Sequence, residues 1–231
     1  EDNDNGFDLL ALFSKLRSAD AKALLYNCVS GSQVIVRGPC EADVRSAVRS
    51  IASRLLPSEL RGNVCEYSSD YLSPYEARFL GLPLSAVIPH FEEVDRSFGV
   101  HEEELFGFSL TQDTENDTDD PYGGCAVLTL VPDLSRCTVR GLHFQSPMVD
   151  EMLSSLRSSV PWPRVALVQD RWMTAAKAAC ALQHQGLFES NDGITTALAL
   201  LGVKESDFKV LMFWMSCVKK ELLRVQSSAI K

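Results

Sequence analysis

Apolar positions along the chain change spacing twice, and those changes divide it. Leu9, Leu10, Leu12, Phe13 and Leu16 suggest a first helix. Leu24, Leu25, Cys28 and Val29 suggest a second, ended by Gly31. Gln33-Val-Ile-Val-Arg37 is a short β-rich run, best read as a buried strand. Val44, Val48, Ile51, Ala52 and Leu55 return to helical spacing, and Pro57 stops that helix. Asn63-Val-Cys-Glu-Tyr67 reads as the next strand. Strand, helix and strand over this length make a βαβ unit of a parallel sheet. Further on, 105–111, 125–131 and 137–140 are strand candidates. From Pro147 the period is helical throughout. Val149, Met152, Leu153 and Leu156 make one stripe, and Val165, Val168, Trp172, Ala176 and Ala179 a second. Ile194, Ala197, Leu198 and Leu201 fit a short helix ending at Gly202. Phe208, Leu211, Met212, Met215, Val218, Leu222 and Val225 give a last one. The expected fold class is α/β followed by all-α.

Composition narrows the function. The 231 residues are 45% hydrophobic and 23% charged, ordinary for a globular chain with a sizeable core. No window reaches the roughly 18 apolar residues of a membrane span. The chain opens Glu1-Asp-Asn-Asp-Asn5, which is no signal peptide, and without an initiator Met it is expected to be a piece of something longer. The seven cysteines are odd in number and widely spaced, which argues against a zinc site or a disulfide framework and for a reducing compartment. Net charge is −9. Residues 1–145 hold 12 basic and 23 acidic side chains, and residues 146–231 hold 10 and 8. Such a balance offers neither nucleic acid nor anionic lipid a positive footprint.

The motifs of common chemistries are incomplete. His101-Glu-Glu-Glu104 opens like a zincin motif but lacks the second His four residues on. Asp113-Thr-Glu-Asn-Asp-Thr-Asp-Asp120 is acidic, yet an EF-hand loop counted from Asp113 puts Thr118 and Gly124 where glycine and the bidentate carboxylate belong. It reads as a solvated loop. Gly38-Pro39 follows the first strand without the further glycines of a dinucleotide site. Ser30-Gly-Ser32 is no nucleophile elbow. No metal or cofactor is expected, and no covalent catalysis.

What remains is Tyr67-Ser-Ser-Asp-Tyr-Leu-Ser-Pro-Tyr75, continuing to Phe79-Leu-Gly-Leu82 and Ile88-Pro89. It is aromatic, hydroxyl-rich and turn-punctuated, a composition suited to docking. Tyr71, Tyr75 and Phe79 recur every four residues, as on one helical face that packs beneath the sheet. Ser69, Asp70, Glu76 and Arg78 fall off that stripe and are the better contact candidates, with Tyr71 and Tyr75 beside them.

Taken with Gly31-Ser-Gln-Val-Ile-Val36, Asp170-Arg-Trp-Met173 and Leu200-Leu-Gly-Val-Lys-Glu-Ser-Asp-Phe-Lys-Val-Leu-Met-Phe-Trp-Met215, this block resembles the C-terminal half of the folliculin family. The matching segments fall in order over roughly 20–225, weakest across 100–125. The resemblance implies a DENN-type module, with a central α/β (cDENN) part over 7–145 and a helical downstream (dDENN) part over 146–231. It further implies small GTPases, Rab and Rag, as partners, with guanine-nucleotide exchange toward a Rab. A folliculin-interacting protein, Rag/TOR nutrient signalling, and cytoplasmic, lysosomal-surface and nuclear pools are implied likewise. The alternative is a heterodimerisation scaffold. The family's finger arginine for Rag activation belongs to an N-terminal longin domain, so no residue here inherits it.

Overall fold

The computed structural model describes residues 7–89, 125–132, 134, 136–141 and 144–229. Its first helix, α1 (Leu9–Lys15), starts where Asp8 Oδ1 accepts the Ala11 backbone N–H at 2.9 Å. Helix α2 (Ser18–Ser30) is buried nearly all round, so it is the central helix of the molecule. It ends at Gly31, whose φ of 88° suits glycine. A Cβ there would lie 2.3 Å from the Phe213 ring, so close packing also requires the glycine.

Strand β1 (Gln33–Gly38) follows, then α3 (Glu41–Leu55), whose Val44, Ala47, Val48, Ile51, Ala52 and Leu55 face the core. A 3₁₀ turn (Ser58–Leu60) leads to β2 (Val64–Cys65), β3 (Phe79–Pro83), β4 (Cys125–Thr129) and β5 (Thr138–Arg140). The strand order is β2-β3-β1-β4-β5, with β5 antiparallel and the others parallel. Val34 lies beside Phe79 and Ala126, and Ile35 beside Leu80 and Val127. Alternation then sends Val34, Val36, Phe79, Ala126 and Leu128 to the helix side, and Ile35, Leu80, Leu82 and Val127 to the other.

Helices α4 (Pro147–Leu156), α5 (Pro161–His184), α6 (Asn191–Leu201) and α7 (Phe208–Ala229) complete the described chain. Ser146 and Ser190 cap α4 and α6, and Gly202 ends α6 at φ 65°. Asp207, buried ahead of α7, accepts the Ser146 hydroxyl and, at 3.2 Å, the Met148 N–H, so it fastens α7 to the start of α4. Burial pushes its carboxyl pKa up. One core runs from α1–α3 and the sheet through α4, α5 and α7.

A sheet with helices, then helices alone, is the expected layout. Three details differ. The sheet is mixed rather than parallel, because β5 returns beside β4. Strand β3 lies between β1 and β2, so the βαβ unit skips one position. No helix carries Tyr71, Tyr75 and Phe79: the chain there is a turn, and Phe79 opens β3. A Gly- and Pro-bearing run of five residues is too short for its strand period to stand out beside two tyrosines four apart. The strand expected over 105–111, His101–Glu104 and the acidic stretch 113–120 lie outside the described residues.

Candidate docking site

The sheet face opposite the helices is built around Gln33. This residue opens an apolar strand, yet its side chain is 2% exposed. Its Nε2 donates to the Leu72 carbonyl at 2.9 Å and the Ala77 carbonyl at 2.7 Å, and its Oε1 accepts the Tyr71 hydroxyl at 3.1 Å. A buried amide thus holds the 71–77 segment against the sheet, giving its backbone partners that a loop cannot supply to itself. Tyr71 and Leu72 pack over Ile35, Leu80 and Val127, and Ile88 closes the same cluster from beyond β3. Tyr67 stays on the other face, under the Arg45 guanidinium at 5.4 Å.

Within the segment, the turn is closed locally. Glu76 Oε2 accepts from the Ser73 hydroxyl (2.8 Å) and the Ser73 N–H (3.0 Å), which holds the Glu76 carboxyl below its usual range. Ala77 and Glu76 N–H both donate to the Ser73 carbonyl. Asn63 Nδ2 reaches the Tyr75 carbonyl at 3.1 Å, and the Ser69 hydroxyl donates to Asp70 at 2.8 Å. The backbone is fixed, while Tyr75 remains 87% exposed.

The six contact candidates therefore separate. Ser69, Asp70, Tyr75 and Glu76 face solvent, and Tyr71 is half-buried with its ring on the sheet. Arg78 is 7% exposed, so it cannot present itself to a partner. Its Nη1 and Nη2 donate to the Leu60 and Cys28 carbonyls, and the guanidinium sits 4.4 Å from the Phe213 ring centre and 5.1 Å from that of Phe79. No carboxylate contacts it among the described residues; the carbonyl end of α2 and the aromatic faces offset the charge instead. Burial lowers its pKa to about 10. Trp214 Nε1 donates to the next carbonyl, that of Val29, at 3.1 Å. Arg78 and Trp214, far apart in sequence, thus cap one helix end and fasten α7 to the sheet region.

Sequence reasoning missed Gln33; a lone amide at the head of an apolar run was the available signal. Exposed Leu84 and Val87 beyond β3 extend the apolar surface.

The described residues include no group of three or more potential metal ligands and no helix long and apolar enough to cross a membrane. All seven cysteines are unbridged, and burial pushes the Cys28 thiol up to about 12, far from a nucleophile's range. Gly38 serves packing: a Cβ there would meet Val44 at 3.0 Å and Leu130 at 3.2 Å.

Gln33 and the 67–78 segment lie within a stretch that matches a known family model. Residues 9–103 fit the family model of the folliculin C-terminal domain. The resemblance to that domain holds over this stretch. The matched stretch includes α1 to α3, β1 to β3, Gln33 and the 67–78 segment. No curated protein matches the chain.

Proposed function

We propose that the chain is the DENN-type regulatory module of a folliculin-like protein, with a cDENN part over 7–145 and a dDENN part over 146–231. In this proposal it binds small GTPases and accelerates guanine-nucleotide exchange on a Rab. It works with a folliculin-interacting protein in Rag/TOR signalling, from the cytoplasm and the lysosomal surface, with a nuclear pool. The observation that carries the proposal is the folliculin C-terminal domain match over 9–103.

Exchange needs no covalent step. The factor binds the nucleotide-free GTPase more tightly than the loaded one, and that differential affinity is the catalysis. A held segment with exposed side chains suits the task, because little order has to be created on docking. Tyr75, Glu76, Ser69 and Asp70 supply an aromatic ring, carboxylates and a hydroxyl on a backbone already fixed. Release of labelled GDP from a panel of purified Rab proteins tests the proposal. Acceleration of at least one member is expected, and intrinsic rates throughout would refute exchange.

The scaffold reading is favoured by a different observation. Helix α7 buries Val210, Leu211, Trp214, Met215, Cys217 and Val218 within the chain itself, yet leaves Leu222 54% exposed and Leu223 63% exposed. A heterodimer contact would use that outer end. Leu222→Asp with Leu223→Asp should then abolish co-purification of the folliculin-interacting protein while leaving the melting temperature unchanged. Undiminished association would count against that contact.

A further inference from the structure

Serine stands directly before proline at two places in the chain, Ser73-Pro74 and Ser146-Pro147, and threonine at none. The fold treats the two serines differently. Ser146 is 3% exposed; its hydroxyl donates to buried Asp207 and accepts the Val149 N–H, so it is committed to the start of α4. Ser73 is half-buried in a turn between exposed Asp70 and exposed Tyr75 and Glu76, and its hydroxyl donates to the Glu76 carboxylate. Phosphoryl transfer needs a hydroxyl that can be reached on a chain that can be drawn out, and of the two only Ser73 meets that condition. Pro74 adds selectivity. It has no N–H, so a kinase pocket that offers no acceptor at that position admits proline and penalises other residues. Pro74 also biases Ser73 toward extended backbone.

The turn is closed by a clasp that a phosphate would undo. Glu76 Oε2 accepts both the hydroxyl and the N–H of Ser73, at 2.8 and 3.0 Å. Those two bonds hold the Glu76 carboxyl below its usual range, and no cation pairs with it among the described residues. A phosphate on Ser73 Oγ removes the donated hydrogen and sets about −1.5 to −2 charges beside that carboxylate at neutral pH. Repulsion then replaces a hydrogen bond. The turn spans 74–76, too short for aligned peptide dipoles to offset the added charge. Gln33, through Tyr71, Leu72 and Ala77, is left to anchor the segment to the sheet.

We propose that Ser73 is a phosphorylation site for a proline-directed protein kinase, and that its phosphate releases the 71–77 segment from the sheet. In the transfer, Ser73 Oγ bonds to the γ-phosphorus of ATP as the bond from that phosphorus to the β–γ bridging oxygen breaks. ADP leaves with that electron pair, and the hydroxyl proton passes to the kinase's catalytic base. Release loosens the cover that Tyr71 and Leu72 give to the cluster of Ile35, Leu80, Leu82 and Val127. Its consequence for nucleotide exchange rests on the function proposed above; the release itself does not.

The test uses the full 231-residue chain with Mg-ATP and two proline-directed kinases in turn, one mitogen-activated and one cyclin-dependent. Mass spectrometry locates the phosphate, and amide hydrogen exchange is measured before and after. Phosphate is expected on Ser73 and not on Ser146. Pro74→Ala should slow its incorporation by about tenfold or more. In the phosphorylated chain the amides of 71–77 should exchange about tenfold faster or more, while those of α2 and α3 keep their protection. Glu76→Gln separates charge from bulk. Its amide can donate to the phosphate, so phosphorylation of that variant should leave amide exchange in the segment nearly as it was. Absence of phosphate on Ser73 with both kinases overturns the site, as does equal labelling of Ser146 or of Pro74→Ala. Unchanged or slower amide exchange in the phosphorylated segment, or the same acceleration in Glu76→Gln, overturns the release. Neither readout involves a GTPase, so this proposal and Rab exchange stand or fall separately.

Discussion

The two faces of the sheet are formed by alternate residues of the same strands, yet they are covered differently. On one face α2 and α3 lie across Val34, Val36, Phe79, Ala126 and Leu128, and the core continues into α4, α5 and α7. On the other, among the described residues, the cover is the 71–77 segment with Ile88, over Ile35, Leu80, Leu82 and Val127. A helix brings its backbone hydrogen bonds with it. A loop does not, so the second face depends on the side chains of Gln33, Glu76 and Asn63 to satisfy carbonyls and amides. The first face is therefore stabilised by area and the second by a few polar anchors. Local opening should be cheaper on the second, which is also the face where the candidate docking side chains are displayed.

The largest effect should come from closing the gap between β3 and its cover. Gly81 lies on the helix side, and a Cβ there would sit 2.1 Å from the Glu66 carbonyl oxygen and 2.8 Å from Val44 Cγ1. Backbone cannot yield as a flexible side-chain end does. Gly81→Val is expected to cost more than about 3 kcal/mol or to prevent folding, as read by urea denaturation. Near-native stability would mean that β3 does not approach Glu66 as described.

Next is Arg78, which belongs to neither cover but joins both regions. Arg78→Met keeps much of the side-chain volume and strands the Cys28 and Leu60 carbonyls. A loss of roughly 2–4 kcal/mol is expected. Faster amide exchange should spread through the C-terminal turn of α2 and into α7. Arg78→Lys should recover less than half of that loss, because a point charge on one stem cannot serve two carbonyls as a planar fork does. Full recovery by lysine would show that charge alone, without the fork, holds the joint.

The contrast between the faces also explains what the sequence made legible. Val44 through Leu55 and the stripes after Pro147 bury one side, so their helical period is strong. Gly31 and Gly202 mark helix ends because each takes a positive φ. Strand β1 reads clearly because Val34, Ile35 and Val36 are buried on both faces. The loop-covered side is harder to see. Strand β3 is five residues long, and its glycine reflects the approach of Glu66, which no spacing announces. Arg78 and Gln33 are polar types that ordinarily face water. Only partners 50 residues away for Arg78 and 44 for Gln33 put them inside.

A smaller and more local effect is expected at Gln33. Gln33→Leu keeps the strand apolar and removes three hydrogen bonds to the 71–77 segment. The expected cost is about 1–3 kcal/mol. The discriminating readout is amide exchange. Residues 71–77 should lose protection while α2 and α3 keep theirs. Uniform loss across both faces would mean that the two covers open together and that the comparison drawn between them fails.

The smallest effect on stability, and the most informative for docking, belongs to Tyr75. Its ring is 87% exposed while its carbonyl is held by Asn63, so the side chain can be changed without disturbing the turn. Tyr75→Ser should alter stability by no more than about 0.5 kcal/mol. An exposed ring displayed on a fixed backbone is the kind of anchor whose loss weakens an interface by about 1–2 kcal/mol or more. If the chain acts as proposed, Rab exchange by the variant should therefore fall about tenfold, with the denaturation curve unmoved. Tyr71→Phe is the matched control, because its hydroxyl serves Gln33 rather than solvent. It should lower stability by about 1 kcal/mol and leave exchange nearly intact. If the pair behaves the other way round, the segment acts through its packing on the sheet and its exposed side chains are bystanders.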